Sequence, residues 1–388
     1  MFNCRIPEVA YRDPWTLPLG TRRQTLLRGR RRIAYFYEEP NNSTFRYRAY
    51  NMVQVLNEAG ESEVSAAYFF LDDLHDVDNL ADLADVLVVC RSRYCHRVHD
   101  LIGSFRRKNK RVFFDVDDLV FNPDHVHLIM DTLDQDPDNP ALWDYWYAYT
   151  GRMGAALKLC DAVITTNRHL AEQITAHSGL PAGVVPNFIN REQMELSEKI
   201  YAEKSASGFA RDDRISLGYF SGSPSHNRDF QMIVSALEDL MEEEPRLALY
   251  LVGYIDCPVL LNRFKHRVQV CPFQDYVNLQ RLTGRVEFNL VPLQSNIFTH
   301  CKSELKYFEA AIAGTVSIAS PTYAYRLAIR NGENGYLARG HQWVSVVRRA
   351  INDMDSYPDM AQAAFTDARD HYAWFNQREI ILKALDIS

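Results

Sequence analysis

The sequence predicts an α/β protein built from two Rossmann-like, doubly wound parallel-sheet domains that face a cleft. Three observations carry this reading. The chain has 388 residues, more than a single core usually organises. Short apolar runs recur between amphipathic stretches, and the runs are apolar throughout, as strands covered on both faces are. The recurrence pauses once, after Val184–Asn190, and then starts again.

In the first half, Ile33–Glu38, Val64–Phe70, Val86–Cys90, Arg111–Asp115 and Ala162–Thr166 read as buried strands, rich in β-branched and aromatic residues. Helical patterns separate them, such as YRAYNMVQVLNEAG, with Gly60 as its C-cap. The polar stretch 191–213 reads as a linker with room for one helix. Ile215–Gly222, Leu247–Gly253, Val268–Phe273, Glu287–Leu293 and Thr315–Ser320 then supply a second set of strands, and the chain from Tyr357 onward reads as helical. The expected organisation is a basic N-terminal arm over 1–32, a Rossmann-like domain over 33–190, the linker, and a second Rossmann-like domain over 214–364. A C-terminal helix is expected over 365–388.

Composition narrows the partners. Forty-three basic and 50 acidic residues leave a net charge of −7, which argues against a nucleic-acid binder. TRRQTLLRGRRR (Thr21–Arg32) concentrates six arginines. It reads first as a solvated arm and second as a peripheral contact with an anionic membrane surface. No run resembles a secretory signal or a transmembrane segment. The odd number of cysteines, seven, suits reduced thiols and a cytoplasmic setting.

Ligands of open parallel sheets bind beyond the carboxyl ends of the strands, so the loops there are the candidates. GYFSGSPSHNRDF (Gly218–Phe230) turns through Ser221, Gly222 and Ser223, with His226 and Arg228 as further donors for a phosphate. It matches neither the dinucleotide fingerprint nor a P-loop. In CKSELKYFEAAIAG (Cys301–Gly314), a helix running from Lys302 places Lys302, Lys306 and Glu309 on one face and Leu305, Phe308 and Ile312 on another. Two lysines on one face suit an anion between them. VFFDVDDLVF (Val112–Phe121) ends a strand with Asp115, Asp117 and Asp118. Such a cluster fits acid–base work, a DxD metal site, or the nucleophile and acid of a magnesium-dependent haloacid-dehalogenase-like phosphatase. That last reading lacks a later acidic pair at a strand end and leaves the second domain without a role. Ser43, Arg46 and Arg48 follow the first strand, and Ser43 or Thr44 also suits a helix cap. Arg91 and Arg93 follow the third strand. Cys90, Cys95 and His99 hint at zinc, but no complementary pair lies nearby in sequence, and no metal site is assigned.

VEFNLVPLQSNIFTHCKSELKYFEAAIAGTVSIAS (Val286–Ser320) resembles the donor-binding segment of GT-B glycosyltransferases, specifically the large family-four retaining group. VPNFIN, SGSPSH and NGENGYLA (Asn331–Ala338) are similar to the group's Pro-Asn turn, phosphate loop and Asn-Gly-x-x-Gly segment. The resemblance implies that Glu309 holds the ribose of a nucleoside-diphosphate sugar. It also implies that Ser221, Gly222, Ser223, His226, Arg228, Asn296, Lys302, Ser303 and Lys306 surround the donor. Where the group carries a second glutamate, eight positions earlier, this chain has Cys301. Where it carries His-Asp on the acceptor side, this chain has Asp117-Asp118. Asp117 is the first choice of catalytic residue, then Asp118, with Ser43, Arg46, Arg91, Arg93 and Asp115 on the acceptor side. The implied activity is a metal-independent hexosyl or deoxyhexosyl transfer, with retention, to a glycan or lipid-linked acceptor in polysaccharide or glycoconjugate synthesis. It needs no cofactor beyond the donor itself. Two alternatives remain: the phosphatase using Asp115 and Asp117, and a non-catalytic nucleotide-sugar-binding protein.

Overall fold

A computed structural model describes residues 1–388 except 5, 59–62, 76, 223–226 and 388, and except the side chains of 77, 78 and 227. Gly60 therefore lies outside the described residues. The first sheet comprises β1 (Arg31–Phe36), β2 (Val64–Phe69), β3 (Val86–Cys90), β4 (Arg111–Asp115), β5 (Ala162–Thr165) and β6 (Ala182–Val184). They lie in the order β2-β1-β3-β4-β5-β6, all parallel. The second sheet comprises β7 (Ile215–Ser221), β8 (Leu247–Gly253), β9 (Val268–Cys271), β10 (Phe288–Val291), β11 (Val316–Ala319) and β12 (Tyr336–Leu337). Its order is β12-β11-β10-β7-β8-β9, again parallel. All ten expected strands form. Two short edge strands, β6 and β12, join them.

Burial follows the two-residue period of a strand. Ala34, Phe36, Leu87, Val89, Val112 and Phe114 enter one apolar cluster, while their neighbours Ile33, Tyr35, Val86, Val88 and Phe113 enter the cluster on the opposite face. Both faces are covered, which is why these runs carry no polar alternation. Strand order reverses between β1 and β3 in one sheet and between β7 and β10 in the other. At each reversal the following loops diverge and leave a crevice at the carboxyl ends.

Two segments, the N-terminal stretch and the carboxyl-terminal helix, depart from the expected organisation, while the linker holds the one helix it has room for. Residues 1–32 are not a solvated arm. Phe2 lies in the apolar cluster of the second sheet and Trp15 in that of the first, and Leu19–Leu26 is a helix against β2. Arg22 is buried and donates to Asp73 Oδ2 at 2.6 Å, Asp73 Oδ1 at 3.0 Å and the Tyr68 carbonyl at 3.0 Å. That leaves Arg28, Arg30 and Arg31 as the exposed arginines of this stretch. The linker is a helix, Arg191–Ala206, capped by Asn190 and packed on the helix Tyr276–Arg285. A Cβ on Gly284 would lie 2.3 Å from Ile200 Cγ2, so that packing is close. At the carboxyl end, the helix Tyr357–Tyr372 stays on the second sheet through Tyr357, Met360 and Ala361. The chain crosses over at Ala373, which bridges to Ile189. Ile381, Leu385 and Ile387 then join Ile33 and Val88 in the first domain.

Candidate active site

A cavity of about 770 Å³ opens between the two sheets, at the carboxyl ends of their strands. The loops after β1, β3 and β4 supply Ser43, Thr44, Arg91, Asp117 and Asp118, those after β7 and β10 supply Gly222, Lys302 and Ser303, and the helix Leu305–Ala311 supplies Lys306 and Glu309.

On the first-domain side, Arg91 gathers the carboxylates. Its Nη1 donates to Asp117 Oδ1 at 2.9 Å and Asp118 Oδ2 at 3.1 Å. It also donates to the Thr44 hydroxyl at 2.9 Å, and that hydroxyl donates to Asp117 Oδ2 at 2.9 Å. Both oxygens of Asp117 are thereby oriented, and its side chain stays 12 % exposed to the cavity. Arg91 sits at φ +35, with its backbone N–H on the Asp115 carbonyl at 2.7 Å, so the turn after β3 is bent to aim this side chain.

Asp115 is different. As the last residue of β4 it points into the core, 1 % exposed, and takes a bidentate pair from Arg48 at 2.7 and 2.9 Å. Burial pushes its carboxyl up to about 6 against the pull of Arg48. Arg48 also donates to the Val185 carbonyl at 2.8 Å and to Asn187 Oδ1 at 3.2 Å. Asp115 therefore anchors the Pro-Asn turn and does not line the cavity. A nucleophilic role for it, as the phosphatase reading requires, is excluded by this burial.

On the second-domain side, Glu309 is the most heavily fixed residue. Arg46 Nη2 at 3.3 Å, the Tyr47 hydroxyl and Gln193 Nε2 at 2.9 Å all donate to its Oε1. Arg46 is in turn sandwiched between the rings of Tyr47 and Tyr276, at 4.1 and 4.4 Å. Arg46, placed on the acceptor side by the sequence, thus supports Glu309. Arg46–Tyr50 is a π-helix, and that wider turn carries Arg46, Tyr47 and Arg48 into the interface.

The lysines lie differently from the expected single helical face. The helix begins at Leu305, after Glu304, so Lys302 sits in the preceding turn rather than on the helix. Lys302 Nζ lies 3.8 Å from Asp118 Oδ1 and 4.9 Å from the Phe298 ring centre, which brings it to the carboxylates of the other domain. Lys306 lies over the Tyr219 ring at 5.0 Å, and burial pushes its ammonium down to about 8. Ser303 accepts from Asn187 Nδ2 at 3.2 Å. Cys301 is wholly buried among first-domain apolar residues and Phe298, and burial pushes its thiol up. Its side chain does not line the cavity.

The other expected residues divide. Ser221 and Gly222 line the cavity at the end of β7, whereas Ser223 and His226 lie outside the described residues. Arg228 turns away to Asp131 and to Asp134, the latter at 2.6 Å, an exposed ion pair across the domains rather than a donor contact. Asn296 caps the helix Ile297–His300 through Thr299 N at 2.9 Å and does not line the cavity. Arg93 is paired with Glu38 and stacked on Tyr149, likewise outside the lining. Ser43 lines the cavity but is tied locally to Asn41 Oδ1 at 3.0 Å. Sequence reasoning missed Tyr47, Gln193 and Tyr276. Each sits inside an ordinary helical pattern, and only the fold brings them to Glu309.

No protein-family model matches the chain, and no curated protein matches its sequence. Solved structures do match in fold. HepE of Anabaena in complex with UDP is 12 % identical with a TM-score of 0.61, over 91 % of this chain and 99 % of that one. HepE in complex with UDP-glucose is 13 % identical with a TM-score of 0.57, over the same shares. Sucrose-phosphate synthase of Thermosynechococcus elongatus is 14 % identical with a TM-score of 0.61, over 92 % of this chain and 98 % of that one. A glycosyltransferase of Rickettsia africae is 11 % identical with a TM-score of 0.59, over 92 % and 99 %. Two parallel six-stranded sheets facing one cleft, aligned over nearly the whole length of these proteins, give this chain the GT-B glycosyltransferase fold.

Proposed function

We propose that this protein is a glycosyltransferase that takes its sugar from a nucleoside diphosphate, with UDP the first candidate, and passes it to a glycan or lipid-linked acceptor. The observation that carries the reading is the pairing across one cavity. An oriented carboxylate, Glu309, and two lysines stand on one side, and the Arg91-bound pair Asp117 and Asp118 on the other. The three donors on Glu309 all use Oε1, so Oε2 serves as the acceptor for ribose hydroxyls. Lys302 and Lys306 offset the charge that grows on the diphosphate as the glycosidic bond breaks, the electrostatic need of such a reaction, without calling on a metal. Asp117 orients the attacking hydroxyl or takes its proton. The bound UDP and UDP-glucose of HepE favour uridine in particular. Retention of the anomer, and a hexose or deoxyhexose as the transferred sugar, rest on the resemblance of Val286–Ser320 to the retaining group.

The test is a thermal shift with UDP, GDP, ADP and dTDP, followed by release of UDP from UDP-glucose. UDP at a hundred times its dissociation constant is expected to add about 2.7 kcal/mol of stability. Asp117→Asn is expected to keep that shift while turnover falls by about 10²–10⁴-fold. No shift with any of the four nucleotides overturns the reading. An unchanged shift with no turnover in the parent protein leaves a nucleotide-sugar-binding protein in its place.

A further inference from the structure

The residues that fix Glu309 come from outside its own domain. Glu309 stands on the helix Leu305–Ala311 of the second domain. Arg46 and Tyr47 belong to the π-helix that follows β1, and Gln193 lies in the first turn of the connecting helix Arg191–Ala206. The three also brace one another. Gln193 is fully buried; its Oε1 accepts from Arg46 Nη1 at 3.1 Å while its Nε2 donates to Glu309 Oε1 at 2.9 Å. Arg46 Nη2 closes the ring on the same Oε1 at 3.3 Å, and the Tyr47 hydroxyl adds a third donor there. Arg46 Nε donates to the Asn42 carbonyl at 2.9 Å. Every nitrogen of this guanidinium is therefore engaged within the protein. Arg46 lines the cavity, yet its charge serves Glu309 rather than a diphosphate.

We propose that Arg46, Tyr47 and Gln193 are positioning residues that act through Glu309 and set the preference of the site for a nucleotide that carries ribose hydroxyls. The proposal rests on the transferase reading above. A glutamate side chain has several rotatable bonds, and ordering it when a ligand arrives costs affinity. Here the order exists beforehand. Three donors converge on Oε1 and leave Oε2 without a protein donor among the described residues. A carboxylate oxygen only accepts, so the group it selects is a hydroxyl. A site built to bond a hydroxyl rejects an analogue without it far more strongly than an apolar pocket does, because its own polar group is then left unpaired. That rejection needs a carboxylate that cannot turn aside, which is what the three donors provide. Two of them come from the first domain and one from the connecting helix, so the packing of the two halves assembles the discrimination.

The test titrates the full chain with UDP and with 2′,3′-dideoxy-UDP by calorimetry. The parent protein is expected to bind UDP about tenfold or more tightly than the dideoxy analogue. Tyr47→Phe and Gln193→Met each remove one donor from Oε1. Each is expected to lower that ratio by about threefold or more, through weaker UDP binding with the affinity for the analogue unchanged. The ratio is taken within each variant, so a general loss of stability does not enter it, and either variant alone is sufficient should the other fail to fold. A ratio unchanged in both variants, or UDP and the analogue weakened alike, overturns the proposal and leaves these residues as braces between the domains. A parent protein that binds the two nucleotides equally also overturns it, while the transferase reading stands on UDP binding itself. Binding of neither nucleotide removes that reading and this proposal together.

Discussion

Burial pushes the Lys306 ammonium down to about 8, while Asp229 opposes the shift. Below that pH the side chain is charged and suits a diphosphate; above it the charge is lost. Donor KM is therefore expected to be flat up to about neutral pH and to rise as pH passes through 8. Lys306→Arg, which stays charged, should flatten the upper limb, and an unchanged limb in that variant would remove Lys306 from donor binding. Asp115 tests the opposite kind of residue. Asp115→Asn leaves the buried Arg48 charge without its partner, so a loss of about 3–5 kcal/mol is expected in chemical denaturation. In the sequence, Asp115, Asp117 and Asp118 look alike. What separates them is Arg48, 67 residues away, which claims the one whose strand position turns it inward. The pairing partner of a carboxylate is a long-range property, and no local spacing reveals it.

At the scale of elements, legibility tracks burial. Nine of the ten strands found from sequence are central or, like β2, long, and their apolar runs announce covered faces, whereas β9 is a four-residue edge strand that stays partly exposed. β6 and β12, with three and two residues, are edge strands whose pattern is too short to read. The helix bearing Glu309 was legible in its apolar residues Phe308 and Ile312, both fully buried, but not in its start. Periodicity from Lys302 continues through Ser303 and Glu304, while the chain makes a separate turn there that carries Lys302 to Asp118. The end of β8 offers a direct probe of this architecture. Gly253 has φ +98, and a Cβ would lie 1.9 Å from the Ser221 carbonyl. Gly253→Ala must therefore push apart the carboxyl ends of β7 and β8 that frame the cavity. A loss of about 2 kcal/mol or more is expected, together with a weaker UDP shift. A variant with parental stability and UDP response would show that this junction does not shape the site.

At the scale of the whole molecule, the two sheets are joined by far more than a connecting segment. Trp15 packs against Phe45 and Tyr50 of the first domain at 5.6 and 5.3 Å and against Tyr276 of the second at 6.2 Å. Phe298 and Cys301 of the second half are buried in the first-domain cluster. Asn167 Nδ2 reaches the Cys301 carbonyl at 2.9 Å, and Glu309 is held by residues of the π-helix. Interfaces between domains that are small and polar allow independent motion and independent unfolding, whereas apolar ones couple the parts. The coupling here is apolar and sits beside the candidate site, so the two sheets are expected to unfold together, in one calorimetric transition. Removing the aromatic contacts should break that link first. Trp15→Ala/Phe298→Ala is expected to cost about 3–5 kcal/mol per side chain and to split the transition in two. UDP should then raise only the component that contains Glu309 and its lysines. Two transitions in the parent protein, or one in the double variant, would place the coupling elsewhere. In that case the polar contacts on Glu309, rather than the apolar ones around Trp15, would be what holds the cleft together.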